Sequence, residues 1–146
     1  MATPPLIFVL NGPNLNRLGK REPAIYGSET LDQIAARLAA RAAELGVTLD
    51  QRQSNHEGHL IDWLHDAEDA GAKAVILNPG GYGHTSVALR DAVTAIATPV
   101  IEVHLSDPMA REAFRHTDLV AEVAARVIKG EGAAGYLTAL DAAAAL

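Results

Sequence analysis

The chain alternates between short apolar runs and longer stretches in which apolar residues return every three or four positions. Leu6–Leu10 is apolar throughout, the pattern of a strand covered on both faces. Between Thr30 and Leu45, the residues Leu31, Ile34, Ala35, Leu38, Ala42 and Leu45 form a helical stripe that stops at Gly46. Residues 47–53 read as a second strand. Ser54 and Glu57 have the spacing of a capping box, which predicts a helix opening there and running through Leu60, Ile61 and Leu64. A third strand is expected over 74–77, followed by a Gly-rich loop and a helix from about 85 to 97. A fourth strand over 99–103 should lead into a short helix, with Ser106 as its N-cap and Pro108 in its first turn. Leu119 and Val120 are expected as a short fifth strand, and the Ala-rich tail from Gly135 as a terminal helix.

This β-α-β-α order predicts an α/β protein, a single domain over 1–146, with one parallel sheet and helices on both faces. Five strands in 146 residues favour the flavodoxin-like, doubly wound arrangement. In such sheets ligands bind beyond the carboxyl ends of the strands. The unusual polar clusters, Asn11–Asn14, Asn78–Ser86 and Glu102–Ser106, all lie at such ends and should converge on one site.

Composition narrows the function classes. The hydrophobic fraction of 49% and charged fraction of 21% are those of an ordinary globular domain. A net charge of -6 argues against a nucleic-acid or membrane-surface binder. The absence of cysteine removes disulfides, thiolate metal sites and cysteine nucleophiles. The start, Met-Ala-Thr-Pro-Pro, has no secretory pattern, and the apolar runs are strand-sized, so a cytoplasmic protein is expected. Arg17, Lys20 and Arg21 cluster, as do Arg111 and Arg115. Such clusters suit capture of a small anion, and equally a solvated charged face.

Glu102 and His104, two apart on a strand, share a face. A carboxylate beside an imidazole fixes its tautomer and supports its protonated form, which prepares a general acid; each group could equally be satisfied separately. Residues 17–27 have neither helical nor strand period and read as a lid that brings Tyr26 near several cations. A neighbouring guanidinium can make a tyrosinate base accessible near neutrality. The alternative is a tyrosine resting on the surface. The N–H groups after Leu105, at Ser106, offer a carboxylate site at a helix start, which Arg115 could also reach. Other patterns are weak. His56-x-x-His59 with His84 lacks a carboxylate at matching spacing for a metal. Ser86, His84 and Asp91 lack a nucleophile elbow, and the glycines match no phosphate loop.

Five segments carry a family resemblance: residues 10–19 (LNGPNLNRLG), 21–27 (REPAIYG), 53–58 (QSNHEG), 78–91 (NPGGYGHTSVALRD) and 101–106 (IEVHLS). In order and nearly end to end, the chain resembles the type II 3-dehydroquinate dehydratases. The resemblance implies dehydration of 3-dehydroquinate to 3-dehydroshikimate in the shikimate pathway, through an enolate, without metal, cofactor or Schiff base. It implies Tyr26 as the base and Arg21 as the cation that supports it. It implies His104 as the acid oriented by Glu102, and Asn14 as a residue near Tyr26 that stabilises the enolate. Asn78, His84 and Arg115 match ligands of the substrate hydroxyls, and Leu105 and Ser106 match its carboxylate cradle. Asp91 matches a carboxylate contributed by a neighbouring subunit, in a homododecamer built from trimers.

The chain departs from the family's usual sequence at Asp107, Met109, Thr117, Asp118, Arg126 and Glu131, none of them a catalytic match. The competing reading is a non-catalytic or flavin-binding module of the same fold, which a yellow protein would favour.

Overall fold

The computed structural model describes residues 3–20 and 22–146. Its elements follow in the order β1 (Leu6–Asn11), α1 (Pro23–Tyr26), α2 (Leu31–Leu45), β2 (Thr48–Gln53), α3 (Glu57–Asp69), β3 (Ala74–Asn78), α4 (Tyr82–Thr85), α5 (Val87–Ala95), β4 (Val100–His104), β5 (Arg126–Lys129) and α6 (Ala134–Ala144). The strands form one sheet in the order β2-β1-β3-β4-β5, every neighbouring pair parallel. This is the doubly wound, flavodoxin-like topology, and its order reverses at β1.

Alternation along the central strands divides the core. Ile7 and Val9, Ala74 and Ile76, and Ile101 and Val103 face α2 and α6, where Ile34, Leu38, Tyr136 and Leu140 meet them. Phe8 and Leu10, Val75 and Leu77, and Val100 face α3 and α5, against Leu60, Leu64, Leu89 and Val93. Because side chains alternate, Glu102 and His104 share the face of Val100. Burial on both faces explains why Leu6–Leu10 and Ala74–Leu77 carry no polar alternation, whereas β4 sets Glu102 and His104 on one face towards its carboxyl end.

The helices begin and end where local chemistry dictates. Thr30 Oγ1 accepts the Gln33 N–H at 3.1 Å while Gln33 Oε1 accepts the Thr30 N–H at 2.8 Å, a reciprocal capping box. Gly46, at φ 71°, closes α2 in a left-handed conformation that a side chain would oppose. Ser54 and Glu57 do not form the expected capping box. Ser54 Oγ instead accepts the His56 N–H at 3.0 Å and pairs with His59 Nδ1 at 2.7 Å, and α3 starts at Glu57.

Three other expectations are corrected. The helix expected over about 85–97 is α5, capped by Ser86 Oγ on the Leu89 N–H at 2.9 Å, but the Gly-rich loop before it contains the short helix α4. The short helix after β4 is a pair of 3-10 turns, Pro108–Ala110 and Ala113–Arg115, and Asp107 rather than Ser106 caps the first. The fifth strand is Arg126–Lys129, not Leu119 and Val120. Val120 is fully buried as a plug on the α5 face of the core, so its apolar character reflects packing rather than pairing. In the edge strand only Ile128 is buried, between exposed Arg126 and Lys129, which hides its signal.

Candidate active site

The loops after β1, β3 and β4 meet at the carboxyl edge of the sheet. Gly12 makes this approach possible: its N–H donates to the Asn78 carbonyl at 2.8 Å, and a Cβ there would stand 2.7 Å from the Pro79 carbonyl oxygen. Beneath the loops, Tyr136 Oη donates to Asn11 Oδ1 at 2.5 Å and accepts from Asn78 Nδ2 at 2.9 Å. Asn78 Oδ1 accepts the Gly80 N–H at 3.1 Å. A buried phenol thus ties the ends of β1 and β3 together across the floor, and burial pushes its pKa up.

Above this floor lies a cavity of about 270 Å³. Asn14 and Leu15 line it from the loop after β1, Asn78 and His84 from β3 and α4, and His104, Leu105 and Ser106 from β4. Tyr26, Arg111 and Arg115 complete the wall. The polar clusters at the strand ends therefore converge as expected. Asn14 adopts φ 69°, and its N–H donates to Asn55 Oδ1 at 2.9 Å, which fixes this turn against the chain after β2.

Two groups carry the electrostatics. In the first, Arg111 donates an N–H to Tyr26 Oη at 2.7 Å, with its guanidinium carbon 5.1 Å from the ring centroid. In the second, His104 Nε2 contacts Glu102 Oε2 and lies 3.2 Å from Asp118 Oδ2. Glu102 is fully buried, and burial pushes its carboxyl pKa up to about 7 despite the imidazole beside it. Burial would lower the pKa of His104, but hydrogen bonds to Asp118 and Glu102 and their charges reverse the effect, raising it to about 9. Burial opposes ionisation of Asp118 too, yet its bonds to His104, Glu102 and the backbone hold it well below the usual carboxylate range. His84 stacks on His104, ring centroids 6.3 Å apart. His84 Nδ1 meets the Thr117 carbonyl at 2.7 Å, which only accepts, so Nδ1 carries the proton and Nε2 is the acceptor of the neutral ring.

Glu102, His104 and Asp118 bring ligand-type atoms within 4.8 Å of one another. Their contacts already share the imidazole nitrogen between two carboxylates, which suits an ion-paired acid better than a metal ligand set. The rings of His56 and His59 meet at a tilt at the start of α3, and neither borders the cavity. Ser86 is occupied as a helix cap, and no hydrolase triad forms with Asp91.

Of the expected site residues, Tyr26, His104, Asn14, Asn78, His84, Leu105, Ser106 and Arg115 border the cavity, and Glu102 stands behind His104. Asp91 is exposed on α5 and does not line the cavity of its own chain. Arg21 lies outside the described residues. Sequence reasoning left Arg111 in an unassigned basic pair and gave Asp118 no role. The spacing of Arg111 and Arg115 was the only signal for the first.

Comparisons with known proteins show the family. The chain matches the profile of the family described as Dehydroquinase class II over residues 5–144. It is 59% identical over 140 residues to a 3-dehydroquinate dehydratase of Chelativorans sp., covering 95% of this chain and 96% of the relative. It is 56% identical over 137 residues to a 3-dehydroquinate dehydratase of Caulobacter vibrioides, covering 94% and 93%. Among solved structures it superposes on a type II dehydroquinase from Propionibacterium acnes with a TM-score of 0.94 at 42% identity, covering 100% of both chains.

Proposed function

The chain belongs to the class II dehydroquinase family and is a hydro-lyase, and we propose that it dehydrates 3-dehydroquinate to 3-dehydroshikimate in the shikimate pathway. The observation that carries the mechanism is the presence, around one cavity, of a guanidinium-bonded phenol and a carboxylate-bonded imidazole. Tyr26, as phenolate, takes the C2 proton of the substrate, and the electron pair moves onto the C3 carbonyl oxygen as an enolate. Arg111 stabilises the phenolate through its 2.7 Å hydrogen bond. Asn14, at the cavity wall beside Tyr26, steadies the enolate.

The enolate then collapses, and the C1 hydroxyl leaves as water with a proton from His104. Since Nε2 of His104 is held by carboxylates, the proton delivered is the one on Nδ1. Glu102 orients the ring. The substrate carboxylate is received by the backbone at Leu105 and Ser106, and its hydroxyls by Asn78, His84 and Arg115. Arg21 adds a second cation from the lid.

The residues present can carry this chemistry without a cofactor. The chain acts as a single domain in the cytoplasm; no helix among the described residues is long and apolar enough to cross a membrane. It assembles as trimers within a dodecamer, in which Asp91 of each subunit completes a neighbour's site. A spectrophotometric assay for the conjugated enone tests the reaction: appearance of enone absorbance with 3-dehydroquinate is expected. A colourless, folded protein that leaves the substrate unchanged would overturn it.

A further inference from the structure

A single turn, Thr117 to Ala121, grips both cavity histidines from behind. The Thr117 carbonyl accepts from His84 Nδ1 at 2.7 Å, and the Leu119 N–H donates to the Gly83 carbonyl at 2.8 Å. Between these anchors Asp118 divides its carboxylate. Oδ1 accepts the N–H groups of Val120 at 3.1 Å and Ala121 at 3.0 Å, while Oδ2 lies 3.2 Å from His104 Nε2. A carboxylate held at one oxygen by two backbone N–H groups cannot swing away without losing both, so the backbone itself delivers the other oxygen to the imidazole. Fully buried Val120 anchors the turn in the core.

From this geometry we propose that Asp118 is a positioning residue for His104, a second carboxylate that fixes the ring and secures its acid form. The proposal rests on His104 being the acid of the reaction described above. Its physical basis is a division of labour between the carboxylates. Glu102 is fully buried and its Oε1 has no hydrogen-bond partner, so desolvation makes its negative charge insecure near neutrality. Asp118 is partly exposed, with a side-chain accessibility of 16%, and its bonds to His104 and the backbone keep it ionised. Glu102 therefore orients, and Asp118 supplies the dependable charge. The other titratable groups around the ring are His84 of α4 and, along the same cavity, Tyr26, Arg111 and Arg115.

The test is an NMR titration of ring-labelled histidine in the intact, ligand-free protein, with the His104 signal assigned by its loss in His104→Gln. In the wild type the His104 midpoint should lie well above the ordinary 6.5. In Asp118→Asn, which keeps an oxygen for the two backbone N–H groups, it should fall by about one pH unit or more. With 3-dehydroquinate, the basic limb of the kcat profile should move down equally, with KM within about threefold. Asp118→Ser, which also retains a short acceptor, should reproduce the shift. A wild-type midpoint at or below 6.5 overturns the proposal without any variant. So does an unchanged midpoint in Asp118→Asn accompanied only by lost thermal stability. Because the titration needs no substrate, a wild-type protein inactive on 3-dehydroquinate would sink the proposed reaction while the role of Asp118 is still decided.

Discussion

Arg111 donates an N–H to the phenol oxygen of Tyr26 at 2.7 Å, joining residues 85 positions apart that both line the cavity. The loop that carries Tyr26 is thereby fastened to the 3-10 turns after β4. In the proposed mechanism this bond supports the phenolate that acts as base.

Tyr26→Phe should abolish nearly all turnover, a loss on the order of 10²–10⁴-fold in kcat, the usual contribution of one general base. KM should change by no more than about threefold, since the phenol moves a proton rather than anchoring the substrate. Steady-state kinetics with 3-dehydroquinate checks this, and near-wild-type kcat would remove Tyr26 from the mechanism.

Arg111→Gln keeps a hydrogen-bond donor but removes the charge facing the phenol. A hydrogen bond to a charged group is worth about 1.5–3 kcal/mol, so kcat should fall by roughly 10- to 100-fold. Arg21→Gln in parallel separates the two cations: if Arg21 supports the base it lowers kcat too, and if it only closes the lid it raises KM. An Arg111 variant with unaltered kcat would show that the bond merely holds the loop.

The raised pKa of His104, about 9, places a limit on activity. Because the folded value lies above the ordinary 6.5, the stabilisation from its raised pKa, held by Asp118 where Glu102 is neutral, is complete below about 6.5 and is lost as pH rises through about 9. Turnover should therefore decline above pH ~9 as the acid empties, and thermal stability should fall in the same window. Glu102 runs the other way in cause: burial raises it to about 7, so below that pH it turns neutral and its grip on the imidazolium weakens. A kcat profile whose basic limb sits near 6.5 would contradict the paired imidazole.

Tyr136→Phe should cost about 1–3 kcal/mol in urea denaturation, because Asn11 Oδ1 and Asn78 Nδ2 both lose their partner in a buried floor. The phenol does not line the cavity, so any loss of activity should follow from displacement of Asn78. An unchanged denaturation midpoint would mean that water replaces the hydroxyl without penalty.

How far the sequence revealed this site depends on which forces each residue answers to. β1, β3 and β4 were readable because burial on both faces keeps them apolar up to their carboxyl ends, where Asn11, Asn78, Glu102 and His104 stand. Those ends and the loops that follow them stood out because polar residues interrupt the apolar runs there. β5 was hidden because an edge strand with one buried residue resembles a loop, while Val120 copied a strand by plugging the core. The contact between Arg111 and Tyr26 and that between Asp118 and His104 depend on non-repetitive backbone, the 3-10 turns and the 118–121 turn, whose course no periodicity encodes. The two-residue spacing of Glu102 and His104 on a strand marked them as a pair, and the family resemblance supplied the roles proposed for them.

The last prediction concerns assembly. Asp91 is exposed on α5 and does not line the cavity of its own chain, although the family resemblance implies that it serves a neighbouring subunit's site. Large apolar side chains are also exposed: Val87 at 59%, Met109 at 54% and Phe114 at 66%. Val87 begins the helix that carries Asp91, while Met109 and Phe114 flank Arg111 beside the cavity. Exposed apolar residues on both the donating and the receiving side suit a closed, heterologous contact, in which each subunit offers Asp91 to the next. The protein should therefore run as trimers or larger in size exclusion coupled to light scattering, with a dodecamer as the full assembly. Phe114→Glu should dissociate it and lower activity in step, because a shared site is incomplete in a monomer. Asp91→Asn should weaken substrate binding without altering the assembly. A fully active monomer at assay dilution would refute the shared site, whereas active trimers would keep it and remove only the larger particle.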